Sequence, residues 1–237
     1  GTCKAVADFR DFLAAGSIPQ AGGYPIVADR APTSCFEAYR VESGADGCRV
    51  LAADTEGIRR GLVFLEDTIL RSGGPFLPFT EIARSPFIKT RISRCFFGPI
   101  KRPPLNRDEL MDGVNYYPDN YLNRLAHEGI NGLWLSVEFR DLCPSRFFPG
   151  HGRDSGRRLA KLRQTVARCA RYGIRIFVFC NEPLAFGTAH YTLPLAELKG
   201  RPEFAGHRTP NGWTCFCTSS QEGQAYLEEC TGYLFEQ

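Results

Sequence analysis

The sequence lacks features that would place the protein in a membrane or on a nucleic acid. No apolar run approaches the length of about 20 residues that a membrane-spanning helix needs. The first residues, GTCKAVADFR, lack the charged-then-apolar layout of a secretory signal. The net charge is only +3 in 237 residues, and the basic run 153–173 has its apolar residues at helical spacing, which predicts a solvated basic helix face. We expect neither a membrane nor a nucleic-acid partner. We expect a cytoplasmic protein, with secretion open if an upstream signal was removed.

The ten cysteines do not form the dense framework of a small disulfide-stapled domain. The chain is long enough to bury a core, and Cys95 and Cys180 lie inside apolar runs, so we expect mostly reduced, buried thiols. Cys215 and Cys217 are separated by one residue and would share a face of a strand. No second cysteine pair or histidine pair accompanies them. No metal and no cofactor are therefore expected.

Residues 1–85 predict a small α/β domain. Segments 35–43, 48–54 and 76–84 have the composition of short strands, and the turn GADG joins the first two. Between the second and third strands lies a helix with Asp54 as its N-cap and SGG as its stop. Its apolar stripe consists of Ile58, Leu62, Leu65 and Ile69.

Residues 86–237 repeat one unit. Helix 118–128 is followed by Gly-Ile and the apolar strand 131–139, and helix 159–172 is followed by Gly-Ile and a strand that begins at residue 175. A further strand is expected in segment 91–98. Strands that alternate with helices pair in parallel through right-handed crossovers. The absence of apolar and polar alternation predicts strands that are buried on both faces.

The sequence lacks a glycine-rich phosphate loop, which disfavours a doubly wound nucleotide-binding sheet. Long loops, 140–156 and 181–212, follow the second and third strands, whereas the return loops are short. This asymmetry favours a (β/α)8 barrel with its site at the carboxyl ends of the strands. A complete barrel needs about 250 residues, so residues 86–237 are expected to form an incomplete one that ends in an amphipathic helix.

The helix sequence GIRRGLVFLEDT, the segment LPFTEIARSPF and an arginine at the start of a first barrel strand together resemble glycoside hydrolase family 20, the β-N-acetylhexosaminidases. Related α-glucuronidases and hyaluronidase-like glycosidases share a similar layout. The resemblance implies a zincin-like N-terminal domain over 1–85, the first part of a TIM-type barrel over 86–237 and hydrolysis of O-glycosidic bonds in a carbohydrate substrate. In that family the sugar's own acetamido oxygen attacks the anomeric carbon while the protein supplies the acid.

Carried over residue by residue, the resemblance gives Arg91 the role of holding hydroxyls of the terminal sugar. On the second strand Trp134, Ser136 and Glu138 stand where the family has histidines and an aspartate. On the third strand Phe179 and Asn181 stand where the family has a glutamate and an aspartate. The Asp-Glu pair that orients the acetamido group and supplies the acid belongs to a fourth strand, which is expected beyond the last residue, so the catalytic residues of this chain remain unknown.

The ends of the predicted strands supply the other candidate site residues. Asn181 and Glu182 follow the third strand, where they would contact sugar hydroxyls; the alternative is a turn role for Asn181 and a solvated Glu182. Glu138, Arg140 and Asp141 follow the second strand, and their alternative is a surface ion pair. Trp134 is either a core residue or a platform for a sugar ring.

The four histidines are given structural or surface roles. His151, His190 and His207 lie in long loops and are interpreted as surface residues. His127 ends a helix, where interaction with the helix dipole explains it.

Three functions remain open. The first is part of a glycoside hydrolase. The second is a non-catalytic carbohydrate-binding or degenerate glycosidase-like protein, which the departures at the second and third strands favour. The third is a barrel enzyme with other chemistry, such as a metal-dependent lyase or deacetylase. Because an incomplete barrel leaves strand edges unpaired, self-association is also expected.

Overall fold

A computed structural model describes residues 2–18, 23–94, 107–180, 183–189 and 192–236. The fold is mixed α/β and divides into two compact units that are discontinuous in sequence. The first unit comprises Gly1–Ser93, Tyr117–Leu133 and Val166–Arg175, and the second comprises the remaining residues. Among the described residues, no helix combines the length and hydropathy needed to cross a membrane.

A four-stranded sheet forms the centre of the first unit. Its strands are β1 (Ile26–Arg30), β2 (Tyr39–Gly44), β3 (Gly47–Ala52) and β4 (Glu81–Arg84), in the order β1-β3-β2-β4. β2 and β3 form the predicted hairpin, and β4 pairs antiparallel with β2. β1 pairs in parallel with β3 and was not predicted.

Two helices, α1 (Thr2–Ala15) and α2 (Thr55–Ser72), accompany this sheet. The cap predicted for α2 is confirmed, because the carboxylate of Asp54 accepts a hydrogen bond from the Gly57 amide at 2.8 Å. Gly73 ends the helix in the left-handed conformation, with φ of 68°. The apolar stripe of α2 is buried with Ala5, Phe9, Val41 and Val50 in one core.

The repeated helix-Gly-Ile-strand unit is present twice. α3 (Asp119–His127) precedes β6 (Gly132–Val137), and α5 (Ser155–Ala170) precedes β7 (Arg175–Cys180). β5 (Ile92–Arg94) completes a three-stranded sheet in the order β5-β6-β7, and a single helical turn, α4 (Phe139–Leu142), follows β6. The glycine after α3 and the glycine after α5 have φ of 78° and 71°, so each supplies the left-handed residue that turns the chain into its strand.

The strands of this sheet are not buried on both faces, contrary to the prediction. In β6, Leu133, Leu135 and Val137 are buried, whereas Trp134 and Ser136 are only half-buried. No residue of β7 is fully buried. The physical reason is that, within the described part of the chain, no second layer covers the face that carries Trp134.

The second unit contains a small sheet that was not predicted. β8 (Ala185–Gly187), β9 (Leu193–Pro194), β10 (Ala205–Arg208) and β11 (Thr214–Phe216) pair in the order β10-β11-β8-β9. The predicted loop 181–212 therefore contains three strands, each too short for periodicity to reveal. The C-terminal helix, α6 (Gln221–Glu236), was predicted and contributes to an aromatic core that contains Phe148, Phe186, Phe204, Phe216 and Tyr226.

The described cysteines carry free thiols. Cys48, Cys143, Cys169 and Cys230 are buried, as expected for core thiols. Cys35, Cys180, Cys215 and Cys217 are partly exposed.

Candidate functional site

A polar network begins where β6 ends, in the second unit. Glu138 follows the last strand residue in an extended conformation and starts α4. Arg140 donates to one oxygen of the Glu138 carboxylate, Oε2, through Nε at 2.9 Å and Nη2 at 2.7 Å. Its third nitrogen, Nη1, donates to the Thr192 carbonyl at 2.9 Å. Arg140 thus fixes the Glu138 carboxylate and ties the end of β6 to the segment that precedes β9.

This network is an ion pair, as one alternative predicted, but it is not a surface one. The side chains of Glu138 and Arg140 are only 11% and 19% exposed. The carbonyl of Arg140 also accepts a hydrogen bond from the Gly152 amide at 2.7 Å, which holds the loop after α4 against the strand end. Burial and several partners make these side chains a fixed feature of the fold.

Asp141 contributes to a second charged group beside the first. Arg158, on α5, places its Nη2 3.9 Å from Asp141 and its Nη1 2.6 Å from the Asp108 carboxylate. Because α5 carries this arginine, the helix is fixed against the segment after β6. Two carboxylates and two guanidinium groups therefore surround the carboxyl end of this strand.

His151 was interpreted as a surface residue, and this was wrong. Its ring is buried and stacks on Phe148 with the ring centroids 4.9 Å apart. Nε2 lies 2.9 Å from the Glu197 carboxylate and Nδ1 lies 3.4 Å from the Tyr226 hydroxyl. The signal in the sequence was the aromatic pair in FFPGH, since a histidine that follows two phenylalanines closely can share their burial. His207, by contrast, is exposed in β10.

Trp134 and Phe179 form an aromatic pair on the half-covered face of β6 and β7. Their rings meet edge to face, with centroids 4.8 Å apart and an interplanar angle of 85°. Phe179 is 43% exposed, which is unusual for a phenylalanine in a strand. Trp134 is therefore neither a deep core residue nor fully solvated.

Arg91 lies in the first unit, immediately before β5. Its guanidinium donates to the Gly129 carbonyl at 2.5 Å, to the Ile88 carbonyl at 2.6 Å and to the carboxylate of Glu37. Its backbone amide donates to the Asn131 side chain at 2.8 Å. All three guanidinium nitrogens thus meet protein acceptors at the amino end of the strand, and binding of sugar hydroxyls by Arg91 stays a prediction.

The other predicted site residues at the third strand, Asn181 and Glu182, lie outside the described residues, as does His190. In the described part of the chain, no group of three or more histidine, cysteine and acidic side chains could hold a metal ion. The partly exposed thiol of Cys217 has its pKa lowered because the backbone amides of Ser219 and Ser220 hydrogen-bond to it just before α6.

Solved structures with a similar fold exist, although no protein-family model matches the sequence and no curated protein matches it. A glycoside hydrolase family 20 β-N-acetylglucosaminidase aligns with 99% of this chain and 51% of its own, at 14% identity and a TM-score of 0.60. A β-N-acetylhexosaminidase from Bacteroides fragilis NCTC 9343 aligns with 98% of this chain and 48% of its own, at 15% identity and a TM-score of 0.60.

A third structure is a family 138 enzyme that targets pectin rhamnogalacturonan II. It aligns with 72% of this chain and 28% of its own, at 15% identity and a TM-score of 0.54. The resemblance to glycoside hydrolase family 20 is thus confirmed at the level of the fold. This chain spans about half the length of the two hexosaminidases and less of the family 138 enzyme.

Proposed function

We propose that this chain is the N-terminal part of a glycoside hydrolase-like protein that acts on a carbohydrate. Residues 1–85 would form a zincin-like accessory domain, and residues 86–237 would supply the first strands of a (β/α)8 barrel. The polar network at the carboxyl end of β6 carries the proposal. Barrel enzymes place substrate-binding groups at the carboxyl ends of their strands, and Glu138, Arg140 and Asp141 stand there, fixed by hydrogen bonds.

These groups suit the recognition of sugar hydroxyls. A hydroxyl both donates and accepts, so a carboxylate beside a guanidinium offers both complementary partners. Because Arg140 already holds Glu138 in one conformation, little side-chain entropy would be lost when a sugar binds. Glu138 and Arg140 therefore suit substrate positioning, and the acid that protonates the leaving group would come from the fourth strand, beyond Gln237.

The aromatic pair supports the same location. Trp134, Ser136 and Glu138 alternate along the chain and so share one face of the extended segment. Phe179 lies beside Trp134, and Asn181 continues the alternation of β7 in the sequence. We assign this half-covered face to the interior of the barrel, where an exposed aromatic edge can contact the apolar face of a sugar ring. Asn181 and Glu182 complete the proposed set with Trp134.

The test uses the full-length protein with a panel of aryl glycosides that includes an N-acetylglucosaminide, a galactoside and a glucuronide. Glu138→Gln and Glu182→Gln are compared with Glu228→Gln, which changes an exposed carboxylate on α6. Turnover of one sugar that falls at least about tenfold in the first two variants and stays within about twofold in the third supports the proposal; tenfold corresponds to about 1.4 kcal/mol of transition-state binding. Equal activity in all three variants would place the substrate elsewhere.

The second candidate function is carbohydrate binding without catalysis. The observation that favours it is the identity of the residues on β6 and β7, where Ser136 and Phe179 stand in positions that the related family fills with catalytic-site polar residues. It predicts that the full-length protein turns over none of the glycosides but binds one of their sugars in calorimetry. Binding that is lost in Glu138→Gln without any turnover would establish this function over hydrolysis.

A further inference from the structure

The first unit contains a cavity of about 340 Å³ that the proposed glycosidase activity does not use. It opens beside α2 and the end of β4, and every residue that lines it belongs to the first unit. The residues that matter for its chemistry are Glu37, Tyr39, Arg60, Asp67, Arg71, Arg84, Ser85, Arg91 and His127. Its volume lies at the lower end of the range of about 300–1,000 Å³ that is typical of small-molecule sites.

The wall of the cavity carries an excess of positive charge. Four arginines, Arg60, Arg71, Arg84 and Arg91, line it together with His127, whereas the carboxylates that line it are Glu37 and Asp67. His127 contacts Glu66 at 3.0 Å and Asp67 at 2.9 Å, and these partners keep its ring protonated at neutral pH. Even when Glu66 is counted, the positive groups outnumber the carboxylates by two. Such a concave, charged surface concentrates anions.

Several donors at the cavity have no hydrogen-bonding role in the fold. Among the residues that the structure describes, the Arg71 guanidinium and the Tyr39 and Ser85 hydroxyls make no hydrogen bond. Arg84 lies over the ring of Phe64 at 5.1 Å, a contact that leaves its N–H groups available. Burial raises the pKa of Tyr39 to about 12, so its hydroxyl keeps its proton and can donate. Arg84 and Tyr39 are direct cross-strand neighbours on β4 and β2.

The inner wall is rigid and holds a strained residue. Arg60 donates through Nη1 to the Ala126 carbonyl at 2.7 Å and through Nη2 to the Ile130 carbonyl at 3.1 Å. Its Nε is buried and meets no acceptor among the described residues. Glu37 has a φ of 65°, a conformation that non-glycine residues rarely adopt and that is often found at functional sites.

We propose that this cavity binds a small ligand that bears an oxyanion, of monosaccharide size or smaller. Phosphate, sulfate and carboxylate groups share the chemistry that the cavity offers, which is several convergent N–H and O–H donors and a net positive charge. Arg71 and Arg84 would grip the oxyanion, and the Tyr39 hydroxyl would donate to it from the wall. The proposal is independent of the glycosidase assignment, because these three residues do not belong to the network at the end of β6.

The test is calorimetric titration of the 237-residue chain with inorganic phosphate, inorganic sulfate, glucose 6-phosphate and glucuronate, with glucose as the neutral comparison. The variant that tests the site is the double substitution Arg71→Gln and Arg84→Gln, which changes two exposed side chains. The matched control is Arg49→Gln with Arg124→Gln, which removes the same charge from two exposed arginines that do not line the cavity. Tyr39→Phe removes the hydroxyl donor and keeps the ring.

We expect at least one anion to bind with a dissociation constant of roughly 1 mM or tighter. The Arg71/Arg84 variant should weaken binding at least about tenfold, Tyr39→Phe a few-fold, and the control variant less than about twofold. Tighter binding of glucose 6-phosphate than of phosphate identifies a sugar phosphate as the ligand class, tighter binding of sulfate or glucuronate identifies those groups, and equal binding shows that only the oxyanion is recognised.

Two outcomes would overturn the proposal. One is the absence of binding by every anion at about 10 mM. The other is an equal loss of affinity in the Arg71/Arg84 variant and in the control, since that would mean a non-specific response to net charge. Neither outcome would bear on the glycosidase proposal, which is tested by turnover at the other site.

Discussion

Glu37 and Arg60 form an ion pair in which both side chains are buried. Oε1 of Glu37 lies 3.3 Å from Nη2 of Arg60, and the two side chains are 1% and 9% exposed. The same carboxylate pairs with Arg91 and accepts a hydrogen bond from the Asn131 amide group at 3.2 Å. One acidic residue from the segment before β2 thus holds α2, the start of β5 and the residue before β6 together within the first unit.

Replacement of Glu37 by glutamine should strongly destabilise the first unit. Glutamine keeps the shape but removes the charge, which leaves Arg60 buried without its counter-charge. Loss of one partner of a buried pair typically costs about 3–5 kcal/mol, measurable as a lower free energy of unfolding in urea. Glu42→Gln, which alters a partly exposed residue paired with Arg40 and Arg49, should cost less than about 1 kcal/mol. Similar small losses in both variants would contradict the buried pair.

His127 should make the stability depend on pH at alkaline values. Its hydrogen bond with Glu66, aided by Asp67 and opposed by burial, raises its pKa to about 9. The folded value lies above the unfolded value of about 6.5, so the stabilisation is complete below about pH 6.5 and is lost as the pH rises through about 9. Because the ring is partly exposed, we expect a loss of about 1–2 kcal/mol.

The measurement compares the free energy of unfolding at about pH 6 and about pH 10 for the wild type and for His127→Gln. The difference between the two proteins should shrink as the pH rises, because only the wild type loses a proton from this ring. His207→Gln, at an exposed position in β10, serves as the control and should follow the wild type. A constant difference between wild type and His127→Gln would exclude the proposed role of this histidine.

The sequence predicted those elements whose signals are local. The cap at Asp54, the stop at Gly73 and the stripe of α2 are read within one turn of each other, and all three are present. β1 was not predicted because its support comes from pairing with β3, about 20 residues away. The strands of the small sheet in the second unit contain two to four residues, which is too few for a period to be recognised.

Gly61→Ala should destabilise the protein although alanine favours helices. A Cβ at Gly61 would lie 2.3 Å from Cγ1 of Val50, so α2 packs on β3 at a distance that only glycine allows. Overpacking of this kind typically costs about 1–3 kcal/mol. In α6, a Cβ at Gly232 meets nothing within 4 Å, so Gly232→Ala should stabilise by up to about 1 kcal/mol. Thermal unfolding of both variants checks the opposite signs, and stabilisation by both would show that α2 can move away from the sheet.

The candidate site was predictable only where strand order fixes position. That Glu138 and Arg140 follow a strand could be read from the sequence, but their mutual hydrogen bonds and the contact with Thr192 depend on a loop about 50 residues away. The burial of His151 likewise depends on Tyr226 and Glu197, which are distant in sequence. Contacts of this kind arise from packing, and no local pattern encodes them.

Arg91→Lys separates a structural role from a role in sugar binding. A lysine has one ammonium group and cannot reach the three acceptors that the planar guanidinium contacts, namely Glu37 and the carbonyls of Ile88 and Gly129. We expect a loss of about 2 kcal/mol in the free energy of unfolding, against less than about 0.5 kcal/mol for Arg124→Lys at an exposed position. Weaker sugar binding with unchanged stability would instead support the role that the family resemblance implies.

The half-covered face of β6 and β7 should make the 237-residue chain self-associate. Phe179 is 43% exposed beside Trp134, and unpaired strand edges together with apolar surface favour association. Light scattering after size exclusion should give a mass above the monomer's 26.5 kDa that increases with concentration. Phe179→Ser should lower the association constant several-fold, because it removes apolar area from the contact. Phe235→Ser removes a phenylalanine that is 75% exposed on α6 and should have little effect, so an equal effect of both would move the contact away from the sheet. A monomer at every concentration would show that this face and these edges are protected, and would contradict the assignment of the face to the interior of an incomplete barrel.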